Sequence, residues 1–359
     1  MSTYWPPNLP RVVATATAVP DYVIGPAETK SYIRQTFHGT YPDLSRAERM
    51  VDHTGIETRH LTLPPSILVE GSRLETKNAL YVETVQTLGR TVAEKALNAA
   101  GLDASAVDLI VAVSCTGYMI PSLDVHLVSQ LGMRSNVRRL PITELGCGGG
   151  TAGLAIAADF VRAHPGSTCL LVSVELCSLT FQPGDSSWQN VVAAMLFGDG
   201  AAAAVVTDRL GFVGPTILAD RTHLFPDTRD YMGFILKDSG FHLVMSPRVS
   251  EMVRHAYRPL LDEFLGDHGL QQADLGFYVL HPGGAKILRY LEQYVGVPSR
   301  WLAPSVDVLR RYGNMSSASV LFVLDEVMRT QRPEPGEFGL LASLGPGFCA
   351  EMLLLRWEY

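Results

Sequence analysis

The sequence predicts a duplicated α/β fold, two similar halves packed into one α/β/α/β/α layered body, and three observations carry that prediction. Short apolar runs such as DLIVAV, CLLVSV, AAAAVV, GLLAS and EMLLLRW alternate with helical stretches, and uninterrupted apolar strands of this kind belong in sheets covered on both faces. Stretches of the first half return in the second in the same order, at nearly constant offset, as internal repeats do. With 359 residues and 47% hydrophobic content, the chain has enough apolar mass for two such units around a large shared core.

The first echo sets AAGLDASAVDLIVAVSCTG (99–117) beside DHGLQQADLGFYVLHPGG (267–284), a helix ending in Gly-Leu, a polar turn and a strand, with Asp108 matching Asp274 at a shift of 166. The second sets LGCGGGTAGLAIAADFV beside YGNMSSASVLFVLDEVM, with Cys147 matching Asn314 at a shift of 167. In each, small residues open an apolar helix. The third sets HPGSTCLLVS (164–173) beside EPGEFGLLAS (334–343) at a shift of 170, where Pro-Gly stops a helix and a strand follows. Chance likeness between βα units is the competing explanation, and three ordered echoes weigh against it. The halves divide as 1–207, carrying Cys147, and 208–359, carrying His281 and Asn314. A pseudo-twofold stacking of the halves brings Cys147 and Asn314 to equivalent helix starts facing one site, and puts His281 at the strand end that Cys115 occupies in the first half.

A formal net charge of −7 and 18% charged residues exclude a general basic field for nucleic acid or an acidic membrane, so an anionic ligand needs a local basic patch. Five widely spaced cysteines, Cys115, Cys147, Cys169, Cys177 and Cys349, read as reduced thiols of a cytoplasmic protein. The opening MSTYWPPNLPRVVATA lacks the basic segment and apolar stretch expected of a leader peptide, and no run reaches the roughly 18 apolar residues of a membrane span. A soluble protein is expected.

The stretch GGGTAG (148–153) satisfies G-x-G-x-x-G ahead of a helix, with Glu175 after the next strand, so an NAD(P) site and an oxidoreductase are one reading. The other takes the glycines as steric relief. A helix start free of bulky side chains leaves Cys147 reachable and turns backbone N–H dipoles toward its sulfur, which favours the thiolate. Cys169 and Cys349 read as small buried hydrophobes. Among ten histidines, His281 alone ends an apolar strand and enters a Pro-Gly-Gly turn. Asn314 is either a helix cap or, by its match to Cys147, part of the site.

These residues sit in GCGGG (146–150), LFGDGAAAAVV (196–206), HPGGAKIL (281–288), YGNMSSASVLFVLDE (312–326) and SLGPGFCAE (343–351). Over nearly its full length the chain resembles the type III polyketide synthases, chalcone-synthase-like enzymes of the thiolase superfamily, and its bacterial members in particular. The resemblance implies a thiolase-like fold and iterative decarboxylative condensation of malonyl-CoA onto an acyl-CoA or malonyl-CoA starter. Cyclisation to a pyrone, resorcinol or naphthalene-type product would follow. Single-round ketosynthase or acyltransferase activity is the near alternative.

By the same resemblance, Cys147 is the nucleophile, His281 holds it as thiolate, and His281 and Asn314 bind the malonyl carbonyl oxygen. Phe197 and Phe241 are gatekeepers between the CoA tunnel and the cavity. Cys115, Cys177, Thr180 and Ser316 line that cavity, and Gly345, Pro346 and Gly347 shape its floor. Gly198 to Gly200 form a turn. Arg46, Arg49 and His53 lie where relatives bind CoA phosphates, at a spacing that shares a helix face; solvated surface charge is the plain alternative. No metal or redox cofactor is implied, and a homodimer is expected. The methionine that relatives extend into the partner's cavity is replaced here by Ile120, next to Met119.

Overall fold

The computed structural model describes residues 9–71 and 73–358. Along the chain its strands are β1 (Arg11–Ala18), β2 (Tyr22–Ile24), β3 (Arg59–Leu61), β4 (Leu109–Val113), β5 (Arg138–Ile142), β6 (Thr168–Leu176) and β7 (Asp199–Thr207). There follow β8 (Thr216–Leu224), β9 (Met232–Lys237), β10 (Gly240–Met245), β11 (Leu275–Leu280), β12 (Phe338–Gly345) and β13 (Cys349–Arg356). Nine of them form one sheet in the order β11-β12-β13-β8-β1-β7-β6-β4-β5. β2 with β3, and β9 with β10, make small separate ladders.

The sheet has two wings that meet at a narrow seam. Outward from β1, the pairings run antiparallel to β7, antiparallel to β6, then parallel to β4. Outward from β8 they run antiparallel to β13, antiparallel to β12, then parallel to β11. The repeat seen in sequence is therefore a repeat of strand direction and order. Only β5, parallel to β4, lacks a counterpart. At the seam β1 meets β8 at Arg11 opposite Thr216, reinforced by Val12 N–H to Pro215 O at 2.9 Å and Ile217 N–H to Pro10 O at 2.8 Å. The layered expectation holds, with the wings joined into one sheet.

Burial follows from the apolar runs. Every residue of β6 and β7 is buried; successive side chains of a strand point to opposite faces, so both faces must be covered. On one face Ala201, Ala203 and Val205 pack with Val85, Val92 and Ala96 of the long helix Leu74–Ala100. On the other, Ala202, Ala204 and Val206 belong to the central core, with Leu154 and Ala157 of helix Gly149–Ala163 and Leu321 of helix Ser319–Glu326. These two helices form the middle layer. Helix Ser299–Tyr312 covers β11 from outside.

The middle layer explains the glycines. A Cβ on Gly150 would stand 2.3 Å from Ser317 O, one on Gly149 2.6 Å from Val113 and one on Gly153 2.7 Å from Leu171. The space above GGGTAG is filled by the partner helix start and the sheet, leaving none for a pyrophosphate. The dinucleotide reading is thereby set aside. All five cysteines are free, and among the described residues no helix is long and apolar enough to cross a membrane.

Candidate active site

Cys147 lies in the 3-10 turn Gly146–Gly148 that leads into helix Gly149–Ala163. Gly146 takes φ +47°, and a Cβ there would meet Pro346 at 2.7 Å; only glycine fits both conditions. The matching turn of the second half, Ser316–Ala318 before helix Ser319–Glu326, holds Ser316 at φ +48°. That costly backbone for a non-glycine residue is held by Ser316 N–H donating to Asn314 Oδ1 at 2.8 Å. The same bond orients the Asn314 carboxamide. Its Nδ2 makes a long contact, 3.4 Å to Gly283 O, and acts on Cys147, whose anion it favours.

His281 follows β11 directly, its backbone N–H bonded to Ala342 O of β12 at 2.9 Å. Phe197 is tied to Asn314 by an isolated parallel bridge, with Gly198 N–H to Asn314 O and Asn314 N–H to Leu196 O each 3.0 Å. Behind it the buried Arg59 donates to Phe197 O at 2.7 Å. Gly198 and Gly200 are not in a free turn: β7 starts at Asp199, whose buried carboxylate accepts from Thr62 and Ser178.

Cys147, His281 and Asn314, far apart in sequence, line one cavity of about 460 Å³ together with Phe197, Cys115, Cys177, Thr180, Ser316, Pro346 and His53. That volume suits a small-molecule thioester. Other expected residues stand elsewhere. Phe241 does not line this cavity; it faces a separate surface pocket with Tyr118 and Leu236. Phe234, edge-on to Phe241 at 5.7 Å between ring centres, takes the place on the wall. Arg46 and Arg49 are outside the lining as well, while Met50 and His53 of their helix Leu44–His53 are on it. Arg46 lies over the Trp188 ring at 5.4 Å, and Arg49 Nη1 donates to Ser45 Oγ at 3.2 Å. Gly345 and Gly347 sit behind the wall: a Cβ on Gly345 would stand 2.8 Å from Leu145 O, so this glycine lets β12 press against the turn that holds Cys147.

Residues the sequence reading passed over complete the wall and its support. Lys286 and Arg289 line the cavity on the second-half side. Ser316 Oγ lies 3.7 Å from Cys147 Sγ and 3.5 Å from Cys115 Sγ. Beneath them the buried Glu175 carboxylate accepts from Cys115 N–H at 3.0 Å, from Thr116 Oγ1 at 2.9 Å and from Ser317. Burial raises the Glu175 pKa against these donors.

Desolvation governs the site's titration. Burial pushes the Cys147 thiol up to about 12, against hydrogen bonds from Ser316, its own backbone and Asn314 that favour the anion. Burial pulls His281 down to about 4, and its Nδ1 has no hydrogen-bond partner among the described residues. Burial thus works against charge on both groups, while the hydrogen bonds from Ser316 and Asn314 work for the thiolate. Among the described residues no group of three or more His, Cys, Asp or Glu is placed to hold a metal ion.

Residues 8–209 match the N-terminal domain of chalcone and stilbene synthases, and residues 217–357 match the C-terminal domain. The chain belongs to the chalcone and stilbene synthase family. As a type III polyketide synthase it is an acyl-transferring enzyme that builds a polyketide by decarboxylating condensation and cyclises it. It is 40% identical to a 1,3,6,8-tetrahydroxynaphthalene synthase of Streptomyces peucetius, covering 96% of this chain and 93% of that one. To the phloroglucinol synthase of Pseudomonas fluorescens it is 32% identical, covering 90% of this chain and 92% of that one. The crystal structure of 1,3,6,8-tetrahydroxynaphthalene synthase from Streptomyces coelicolor, a bacterial type III polyketide synthase, superposes with TM-score 0.93 at 37% identity, over 97% of this chain and 99% of that one.

Proposed function

We propose that Cys147 carries the growing acyl chain while His281 and Asn314 generate the carbanion that extends it, with malonyl-CoA as both starter and extender and a naphthalene-type product. The observation that carries this reading is the convergence of a thiol, an imidazole and an oriented carboxamide on one acid-free cavity.

In loading, Cys147 Sγ attacks the thioester carbonyl. Its proton passes to the imidazole of His281 and on to the departing CoA sulfur. In extension, the malonyl C–C bond breaks, carbon dioxide leaves, and the electron pair becomes an enolate on the thioester oxygen. Asn314 Nδ2–H and a ring N–H of His281 donate to that oxygen. Donors fixed where charge develops contribute several kcal/mol. The carbanion attacks the acyl carbon on Cys147, a C–C bond forms and the sulfur leaves. Phe197 and Phe234 keep this region apolar, which disfavours a carboxylate and favours its loss.

The S. peucetius relative supports the product class. The test is malonyl-CoA as sole substrate, with products and intact enzyme followed by mass spectrometry. Expected are an aromatic product and an acyl adduct that maps to Cys147. A requirement for another acyl-CoA overturns the starter assignment, a linear β-ketoacyl product indicates single-round condensation, and an adduct on a different cysteine removes the mechanism. Tyr118 and Ile120, 60% and 79% exposed beside the cavity residue Cys115, support pairing of two copies of the enzyme over this loop. Sedimentation equilibrium giving the mass of one chain would remove that pairing.

A further inference from the structure

The reacting groups and part of the cavity wall come from different pieces of the molecule. Cys147 and Asn314 stand at the two helix starts of the middle layer and His281 at the end of β11, whereas Met232, Gly233, Phe234, Leu243 and Met245 of the wall belong to the β9–β10 hairpin. That hairpin is a ladder of its own outside the nine-stranded sheet, and two strands alone are marginally stable. Ile235, Leu236 and Lys237 are exposed on it. Where Phe234 stands therefore depends on how the hairpin is fastened to the body.

Among the described residues, two hydrogen bonds reach from the hairpin to the rest of the chain. In the first, the buried Gln182 donates from Nε2 to Phe241 O at 3.1 Å, and from the same nitrogen to Thr180 O at 3.0 Å. Lys77 fixes the amide in this sense: its buried ammonium donates to Gln182 Oε1 at 3.3 Å and to Phe181 O at 2.7 Å, and an ammonium, which only donates, takes the oxygen side of an amide. Gly240, at φ +127°, leaves Gln182 its room, since a Cβ there would stand 2.7 Å from Nε2. In the second, His242 Nδ1 donates to Asp185 Oδ2 at 3.1 Å, with Ser239 Oγ 2.7 Å from Nε2. Asp185 is itself held, because its Oδ1 accepts from Ser187 N–H at 2.9 Å. Asn190 Nδ2 donates to Gln182 O and to Asp185 O, each at 2.7 Å. Both fastening points thus lie on one braced turn, two residues beyond the cavity residue Thr180, and neither they nor Lys77 and His242 line the cavity.

We propose that Lys77, Gln182 and the Asp185–His242 pair are positioning residues that hold the hairpin as a wall of the cavity, and so set how many condensations precede release without touching the groups that make the carbanion. This rests on the condensation reading above. A wall docked at fixed depth gives the growing chain one shape to fold into before it cyclises. Released at its two polar points, the hairpin admits water and other conformers of the intermediate, and shorter products leave early.

The experiment uses Gln182→Glu, which keeps an acceptor for Lys77 and removes the donor to Phe241 O, His242→Phe, which keeps a ring and removes the bond to Asp185, and the two together. Carbon dioxide release from malonyl-CoA is followed by stopped flow, products are separated by mass, and trypsin cleavage after the exposed Lys237 is timed on the free enzyme. The ratio of the longest wild-type product to shorter ones should fall about fivefold in each single variant and further in the double, and cleavage after Lys237 should quicken by a similar factor, while carbon dioxide release stays within about twofold. A wild-type ratio in the single variants overturns the proposal, and so does a parallel loss of carbon dioxide release and product, the result of a purely structural role. Should Gln182→Glu not fold, His242→Phe decides alone. If wild-type enzyme requires another acyl-CoA, the starter assignment fails, and the same ratio, read with that starter, still decides the proposal.

Discussion

The two helix starts of the middle layer occupy equivalent places in the repeat, and their chemistry differs. At the first, Gly146 to Gly150 surround Cys147; at the second, Asn314 precedes the serines 316, 317 and 319. The facing serine start leaves no room for a side chain at Gly150, where a Cβ would reach Ser317 O at 2.3 Å, while Pro346 and Val113 crowd Gly146 and Gly149. The serines are present because they hold the site together. Ser317 bonds Ser173 Oγ at 2.9 Å and reaches Glu175, Ser319 Oγ accepts from Met315 N–H at 2.7 Å, and Ser316 stands between two thiols. In the proposed mechanism one start seats the nucleophile and the other supplies the donor that stabilises charge next to it.

The sharpest way to separate the two starts is Cys147→Ala, which should abolish condensation product altogether while the chain still folds, as near-wild-type circular dichroism would show. Asn314→Ala and His281→Ala come next. Each should lower kcat for malonyl-CoA decarboxylation by about 10²- to 10³-fold, the cost of one donor to a developing oxyanion; stopped-flow release of carbon dioxide measures it.

A smaller effect is expected in stability. The folded pKa of His281, about 4, lies below its ordinary value of 6.5, so between these values the unfolded chain binds the extra proton. Stability then rises with pH through that window, and protonating this site costs up to about 3 kcal/mol below it. In Asn or Gln variants of His281 the pH dependence of urea midpoints between about 6.5 and 4 should flatten; a parallel curve would contradict the buried neutral imidazole. Gly150→Ala should cost about 1–3 kcal/mol by overpacking the junction of the two helices, read as a lower urea midpoint at unchanged slope. The least effect belongs to Arg49→Glu, for which KM of malonyl-CoA should rise by less than about threefold, a rim charge off the cavity wall.

Much of this was legible beforehand, for a physical reason. The places of strands and helices follow from apolar runs and helix stops, and the offset of about 166 residues between copies carries Cys115 onto His281 and Cys147 onto Asn314. What resisted reading depends on neighbours supplied by packing. Phe234 and Phe241 both sit in the β9–β10 hairpin, where Phe234 faces Leu243 and Phe241 faces Leu236 across the ladder; which ring meets the cavity is set by how the hairpin docks. Arg46 and Arg49 matched the expected phosphate positions, and their own helix aims Met50 and His53 at the wall instead. GGGTAG was ambiguous because a glycine run reads the same whether a ligand or a helix fills the space above it.

The division of labour between the two starts is tested most directly by carbon dioxide release from malonyl-CoA in Cys147→Ala alone and in Cys147→Ala with Asn314→Ala. The account predicts that the single variant keeps releasing carbon dioxide without forming product, and that adding the second change lowers the release by about 10²- to 10³-fold. Release that stops with Cys147→Ala alone, or that ignores the loss of Asn314, would contradict it.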